Sequence, residues 1–239
     1  MLNSFNGADM NTNIEVGFLL FPHLTQLDLT GPAQVLSRVP NAKVHLVWKD
    51  LGPVMTDVGF SINPTTTFES CPQLDVLCVP GGFGIGEQMI DEVTLSFLRM
   101  QSIGTKYITS ICNGSLILAA AGILQGHKSA CHWIWSKYLP LFGVDPINQR
   151  VVKDGKFISG GGVTAGIDFA YELAAELAGE DIAKRLQLAL EYDPGPPFDC
   201  GSPEKAGPAL VNEVLALQKD RITAMEAVIQ KAVTNLDTQ

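Results

Sequence analysis

Of the five cysteines, Cys71, Cys78, Cys112, Cys131 and Cys200, only Cys112 stands where a strand should turn into a helix. The apolar run Tyr107–Ile111 leads into it, and Asn113-Gly114-Ser115 opens the apolar stretch Leu116–Leu124 behind it. A nucleophile at such a corner is presented above the sheet, as the serine of an α/β-hydrolase is. The positive end of the following helix is expected to lower the thiol pKa and raise the thiolate fraction. No pair of cysteines shows the CxxC or Cys/His spacing of a metal centre, so no metal is expected.

Two glycine runs can bring backbone N–H groups to such a nucleophile. Val79-Pro80-Gly81-Gly82-Phe83-Gly84 follows an apolar strand, and backbone N–H groups in this loop can face a developing anion. A dinucleotide site would place its glycines after the first strand, with an acidic residue about 20 positions later. Here the next strand ends in Cys112, so no nucleotide cofactor is expected. In Gly160-Gly161-Gly162-Val163-Thr164-Ala165-Gly166, Gly161 and Val163 can face the same pocket, or the glycines can serve tight helix–strand packing. Asp28, in Gln26-Leu27-Asp28-Leu29-Thr30-Gly31-Pro32, has two readings. It can cap the next helix. Beside a thiolate in an apolar pocket, its carboxyl would instead hold a proton to higher pH and deliver it.

The elements that must position these residues alternate in type. Ile14–Leu20, Lys43–Trp48, Asp75–Val79 and Tyr107–Ile111 read as buried strands, rich in β-branched residues and bounded by glycine or proline. Helical spacing covers Pro32–Arg38, with Thr30-Gly31-Pro32 as its start, and Glu92–Gln101. Hairpins are expected at Val54–Asn63 and Val151–Ser159, and helices at Thr164–Leu177 and Asp181–Glu191. Asp193–Pro203 is too rich in turn residues for a helix, and a last helix is expected from about Ala209 to Val233. Its stripe of Leu210, Val214, Leu217, Met225, Val228 and Ala232 should pack on its own domain, or less often on a second subunit. Strand–helix alternation implies an α/β fold with a mostly parallel sheet covered on both faces.

With 239 residues, 46% of them hydrophobic and 17% charged, the chain can bury a large core. A net charge of −9 opposes binding to nucleic acid or an anionic membrane. No apolar run approaches the ~20 residues of a membrane span, and the polar N-terminus does not resemble a signal peptide. A cytoplasmic protein is expected, with residues 1–13 a disordered extension and residues 14–239 a single domain.

The segments FLLFPHLTQLDLTGP, VPGG, SICNGS, ACHW, GGGVTAGIDFA and the stretch ending EYDPGPPF together resemble the DJ-1/PfpI superfamily, over roughly Ile14 to Pro203. Within it the isocyanide hydratase family is the nearest match. The resemblance implies a flavodoxin-like sandwich (the class I glutamine amidotransferase type), usually a homodimer, with Cys112 as nucleophile. Many relatives carry glutamate where this chain has Asp28, and aspartate before LTGP points to the hydratases. The implied substrate is a small isocyanide, converted without a cofactor to an N-substituted formamide through a thioimidate on Cys112, with Asp28 moving the protons. Backbone N–H groups of Gly82, Asn113 and Val163 would steady the sulfur or the intermediate, and His132 of ACHW would be accessory. Asn113 stands where PfpI-type proteases carry histidine and where the hydratases usually carry threonine. A glyoxalase or deglycase activity, protective oxidation of Cys112, or a regulator's ligand-sensing domain are the alternatives the superfamily offers.

Overall fold

The computed structural model describes residues 13–238. The extension expected to be disordered lies outside the described residues apart from Asn13. In chain order the strands are β1 (Ile14–Leu19), β2 (Ala42–Trp48), β3 (Val54–Met55), β4 (Ser61–Ile62), β5 (Thr66–Thr67), β6 (Val76–Val79) and β7 (Tyr107–Ile111). Then come β8 (Lys128–Ser129), β9 (Asp145–Pro146), β10 (Val151–Asp154) and β11 (Phe157–Gly160). Seven form one sheet in the order β10-β11-β7-β6-β1-β2-β5, parallel except at the β10–β11 hairpin. The hairpin expected around Asp57 and Gly59 is the β3–β4 pair.

The helices are α1 (Gln26–Leu36), α2 (Ile85–Gln88), α3 (Glu92–Gly104), α4 (Gly114–Ala120), α5 (Ala165–Ala178), α6 (Glu180–Ala189) and α7 (Pro203–Asp237), with a 3₁₀ segment at Ser136–Phe142. The chain steps from β1 to β2 in one direction across the sheet, and from β6 to β7 in the other. Right-handed crossovers therefore put α1 and α3 on opposite faces, and the order reverses between β1 and β6. That reversal opens a crevice beyond the strand ends, where this class of sheet binds ligands. Both faces being covered, Phe18, Leu98 and Phe169 are fully buried. Helices α1 and α5 touch closely: a side chain on Gly31 would come within 3.0 Å of Ile167, and one on Gly166 within 3.4 Å of Pro32. For Gly166, then, the packing reading of its glycine run holds.

Two boundaries differ from the sequence reading. Helix α1 starts at Gln26, not at Pro32, and Pro32 lies within it. The start is fixed from outside the helix, because Asp57 of the β3–β4 hairpin accepts the Gln26 N–H at 3.2 Å. Proline offers no N–H to the carbonyl four residues earlier, which belongs to Asp28. Asp28 thus sits inside the first helical turn, not ahead of it. Helix α7 begins at Pro203, capped by Ser202, and is broken at Gly207 (φ 76°, ψ 165°) just ahead of Pro208. Its stripe packs only in part. Ala232 is buried, and Met225 and Val228 rest on the core, whereas Leu210 and Leu217 are 38% and 78% exposed. Among the described residues no helix is long and apolar enough to cross a membrane.

Candidate active site

Strands β1, β6, β7 and β11 run parallel, so their C-terminal ends emerge along one edge of the sheet. Cys112 follows β7 with φ at 58°, a left-handed conformation that costs a residue with a Cβ about 1 kcal/mol. Neighbouring segments hold it there: its N–H donates to Gly160 O at 3.0 Å, and its carbonyl accepts the His132 N–H at 3.1 Å. The expected strand-to-helix corner is present, but the residue is only 6% exposed.

Burial changes the electrostatics expected of the thiol. It pushes the Cys112 pKa well above that of a free cysteine, with Asp28 and Cys131 adding to the rise and the Asn113 N–H opposing it. The expected lowering fails because α4 has only seven residues and its N-terminal pull is outweighed by desolvation. Asp28 is fully buried, and desolvation lifts its pKa to about 8. The Gly81 N–H, donated to Oδ2 at 2.9 Å, resists that rise; the charge of Asp57 adds to it, and the Cys112 thiol resists it. Asp28 Oδ1 has no well-formed hydrogen bond. At neutral pH the pair therefore holds its protons, and the carboxyl is a ready acid beside the sulfur.

The Gly81–Gly82 turn is wedged between these groups. A Cβ on Gly81 would meet Asn113 Oδ1 at 2.3 Å and the Cys112 Cβ at 2.9 Å. Gly82 has φ at 137°, and a side chain there would lie 2.5 Å from Thr25 N. Its N–H, expected to face an intermediate, donates instead to Asn113 Oδ1 at 2.8 Å. Likewise the Gly161 N–H is taken by Arg150 O at 2.9 Å. Of the expected backbone donors, that of Asn113 is the one brought to the sulfur.

His132 is mostly buried, and desolvation lowers its pKa, so it is neutral near pH 7; its Nδ1 accepts the Ile134 N–H at 3.3 Å. With Gly161, Val163 and Cys131 it lines a cavity of about 740 Å³ floored partly by the 196–205 segment. A second cavity of about 290 Å³ is bordered by Asn113 and Gly82 and walled by Phe83, Trp135, Met225 and Val228. Cys131 and Asp57 were not singled out from the sequence, yet both act on the pair. Cys131, held up to about 12 by burial, adjoins Cys112, and Asp57 reaches Asp28 from a hairpin. ACHW offered a signal for the first; nothing local marks the second. Among the described residues no three His, Cys, Asp or Glu side chains group to hold a metal ion.

The DJ-1/PfpI family model matches residues 15–176, from β1 to within α5, a range that includes Asp28, Gly82, Cys112, Asn113, His132 and Val163. The chain belongs to the DJ-1/PfpI family. Among its relatives, isonitrile hydratase of Pseudomonas putida is 51% identical over 94% of this chain and 98% of its own. Deglycase PH1704 of Pyrococcus horikoshii is 28% identical over 61% of this chain and 89% of its own. The crystal structure of a ThiJ/PfpI family protein from Pseudomonas syringae superposes with a TM-score of 0.89 at 39% identity, covering 95% of this chain and 98% of that one. As a DJ-1/PfpI protein, the chain has the flavodoxin-like sandwich that its motifs implied. Helix α7, which walls the smaller cavity, lies beyond the family match.

Proposed function

We propose that this enzyme hydrates isocyanides, R–N≡C, to N-substituted formamides. The 51% identity to isonitrile hydratase along nearly both chains carries the reading, isonitrile and isocyanide being names for one functional group. The buried Cys112–Asp28 pair supports it chemically. The terminal carbon of an isocyanide accepts a soft nucleophile when a proton arrives with it, and both are supplied here.

In the first step a bond forms between Cys112 Sγ and the terminal carbon. The thiol's proton passes to Asp28 as the carboxyl's own proton goes to that carbon, which leaves a thioimidate, Cys112–S–CH=N–R, and a neutral Asp28. Asp28 then protonates the imine nitrogen and, as a carboxylate, takes a proton from the water whose oxygen attacks the thioimidate carbon. Cleavage of the C–S bond turns the resulting hydroxyl into the formamide carbonyl, and its proton returns through Asp28 to the sulfur. One water is consumed and both residues regain their starting protons. The Asn113 N–H steadies the sulfur when it leaves. His132 and Val163 are proposed as walls of the approach. A cytoplasmic homodimer belongs to the same reading, supported by five free cysteines, the family likeness and the exposed side of α7.

The test is ultraviolet detection of formamide from p-nitrophenyl isocyanide, with methylglyoxal as the competing substrate. Turnover of the isocyanide should vanish in Cys112→Ala and fall by about 10²–10⁴-fold in Asp28→Asn. A folded parent protein that consumes methylglyoxal and leaves the isocyanide untouched would refute the hydratase reading in favour of deglycase-type chemistry.

A further inference from the structure

Asn113 holds the N-cap of α4, where an asparagine side chain ordinarily accepts an N–H from its own helix. It makes no such cap. Both ends of its amide cross instead to the preceding loop: Oδ1 accepts the Gly82 N–H at 2.8 Å, and Nδ2–H donates to Gly82 O at 3.3 Å. The residue before, Gly81, donates its N–H to Asp28 Oδ2 at 2.9 Å. Asn113 is 3% exposed and Asp28 not at all. We infer that Asn113 is a positioning residue for Asp28: its amide clamps the Gly81–Gly82 turn, and the clamped turn keeps the Gly81 N–H on the carboxyl.

The physical case is that a buried amide bonded at both ends is stiff. Removing it leaves the Gly82 N–H and carbonyl without these partners, so the turn shifts to find others. The other contacts of the turn tie it to the loop after β1: Leu24 bridges Gly82, Thr25 N–H donates to Gly81 O at 2.9 Å, and Gly84 N–H donates to His23 O at 3.3 Å. The link towards α4 is the Asn113 amide. A shift of the turn takes from Asp28 a hydrogen bond that favours its ionised form, and the carboxyl then keeps its proton to higher pH. Asn113 thus sets the proton affinity of an acid 85 positions earlier in the chain (113 less 28) through the Gly81–Gly82 turn.

The inference rests on Asp28 as the proton carrier of the hydration proposed above. Its test reads Asp28 in the free protein, so failure of the hydratase chemistry and failure of the positioning role remain distinct. The carboxyl carbon of Asp28 is followed by NMR against pH in aspartate-labelled protein, with Asp28→Asn assigning the signal. In Asn113→Ala the midpoint is expected to rise by about half a pH unit or more. Asn113→Thr, whose hydroxyl can keep the Gly82 N–H but not both bonds, should rise less. The alkaline limb of kcat/KM should move with the midpoint. A folded Asn113→Ala protein whose Asp28 midpoint stays within about 0.2 unit of the parent, or falls, overturns the inference whatever happens to its rate. If Asn113→Ala does not fold, Asn113→Thr takes its place, and a midpoint at or below the parent's overturns the inference.

Discussion

Replacing Asp28 with asparagine removes a titrating proton from the most buried acid at the site while keeping its shape and an oxygen for the Gly81 N–H. The folded carboxyl titrates at about 8 and the unfolded one near 3.8. Below the lower value the group is neutral in both states and does not weaken the fold. As pH rises from there to about 8, the unfolded chain loses the proton and the folded chain keeps it. Folding must then take up a proton, and stability falls by about 1.4 kcal/mol for each pH unit. The asparagine protein lacks this slope. Its stability relative to the parent should therefore improve by about 3 kcal/mol between pH 5 and pH 7, two units of that slope. Urea unfolding of both proteins at pH 5, 6 and 7 measures the change, and groups common to the two cancel in the difference. A difference that stays flat across that range would mean that Asp28 is ionised in the folded protein near its ordinary pKa. The argument that it stands ready as an acid beside Cys112 would then fail.

The same proton gives activity a direction with pH. The acid form is present below about 8, so kcat/KM for an isocyanide should fall as pH rises through that value. Asp57→Asn, which removes a charge that raises both Asp28 and Cys112, should move this limb to lower pH by a few tenths of a unit. The left-handed backbone at Cys112 predicts that Cys112→Gly unfolds at higher urea than Cys112→Ala, by about 0.5–1 kcal/mol; the reverse order would mean that the strain is not borne by the Cβ. Truncating the fully buried Ile229 to alanine should cost about 2–4 kcal/mol and make α7 more readily cut by protease, whereas the same change at the exposed Leu217 should cost little.

Much of the fold was legible because its signals are local. Short β-branched runs between glycine or proline gave β1, β2, β6 and β7 to within a residue or so, and Asp154-Gly155 marked the β10–β11 hairpin. The corner at Cys112 was visible for the same reason, since a strand, small residues and an apolar helix follow one another in the chain. Proline misled where tertiary contact overrode it: Asp57 starts α1 six residues ahead of Pro32, and that contact comes from a hairpin 31 residues away. The chemistry at the site was decided by the same kind of contact. Adjacency suggested a helix end lowering the thiol pKa, but α4 is short, and the cost of desolvating charge depends on every layer packed above the residue. That is why Cys112 and Asp28 both keep their protons. The sequence alone pointed to Cys112, Asp28 and the two glycine turns. Which N–H faces the sulfur, which faces the acid and which is taken by an asparagine was settled only by the close approach of β6, β7 and α1 at one edge of the sheet. A hydrogen bond is decided by tenths of an ångström between segments that are far apart along the chain.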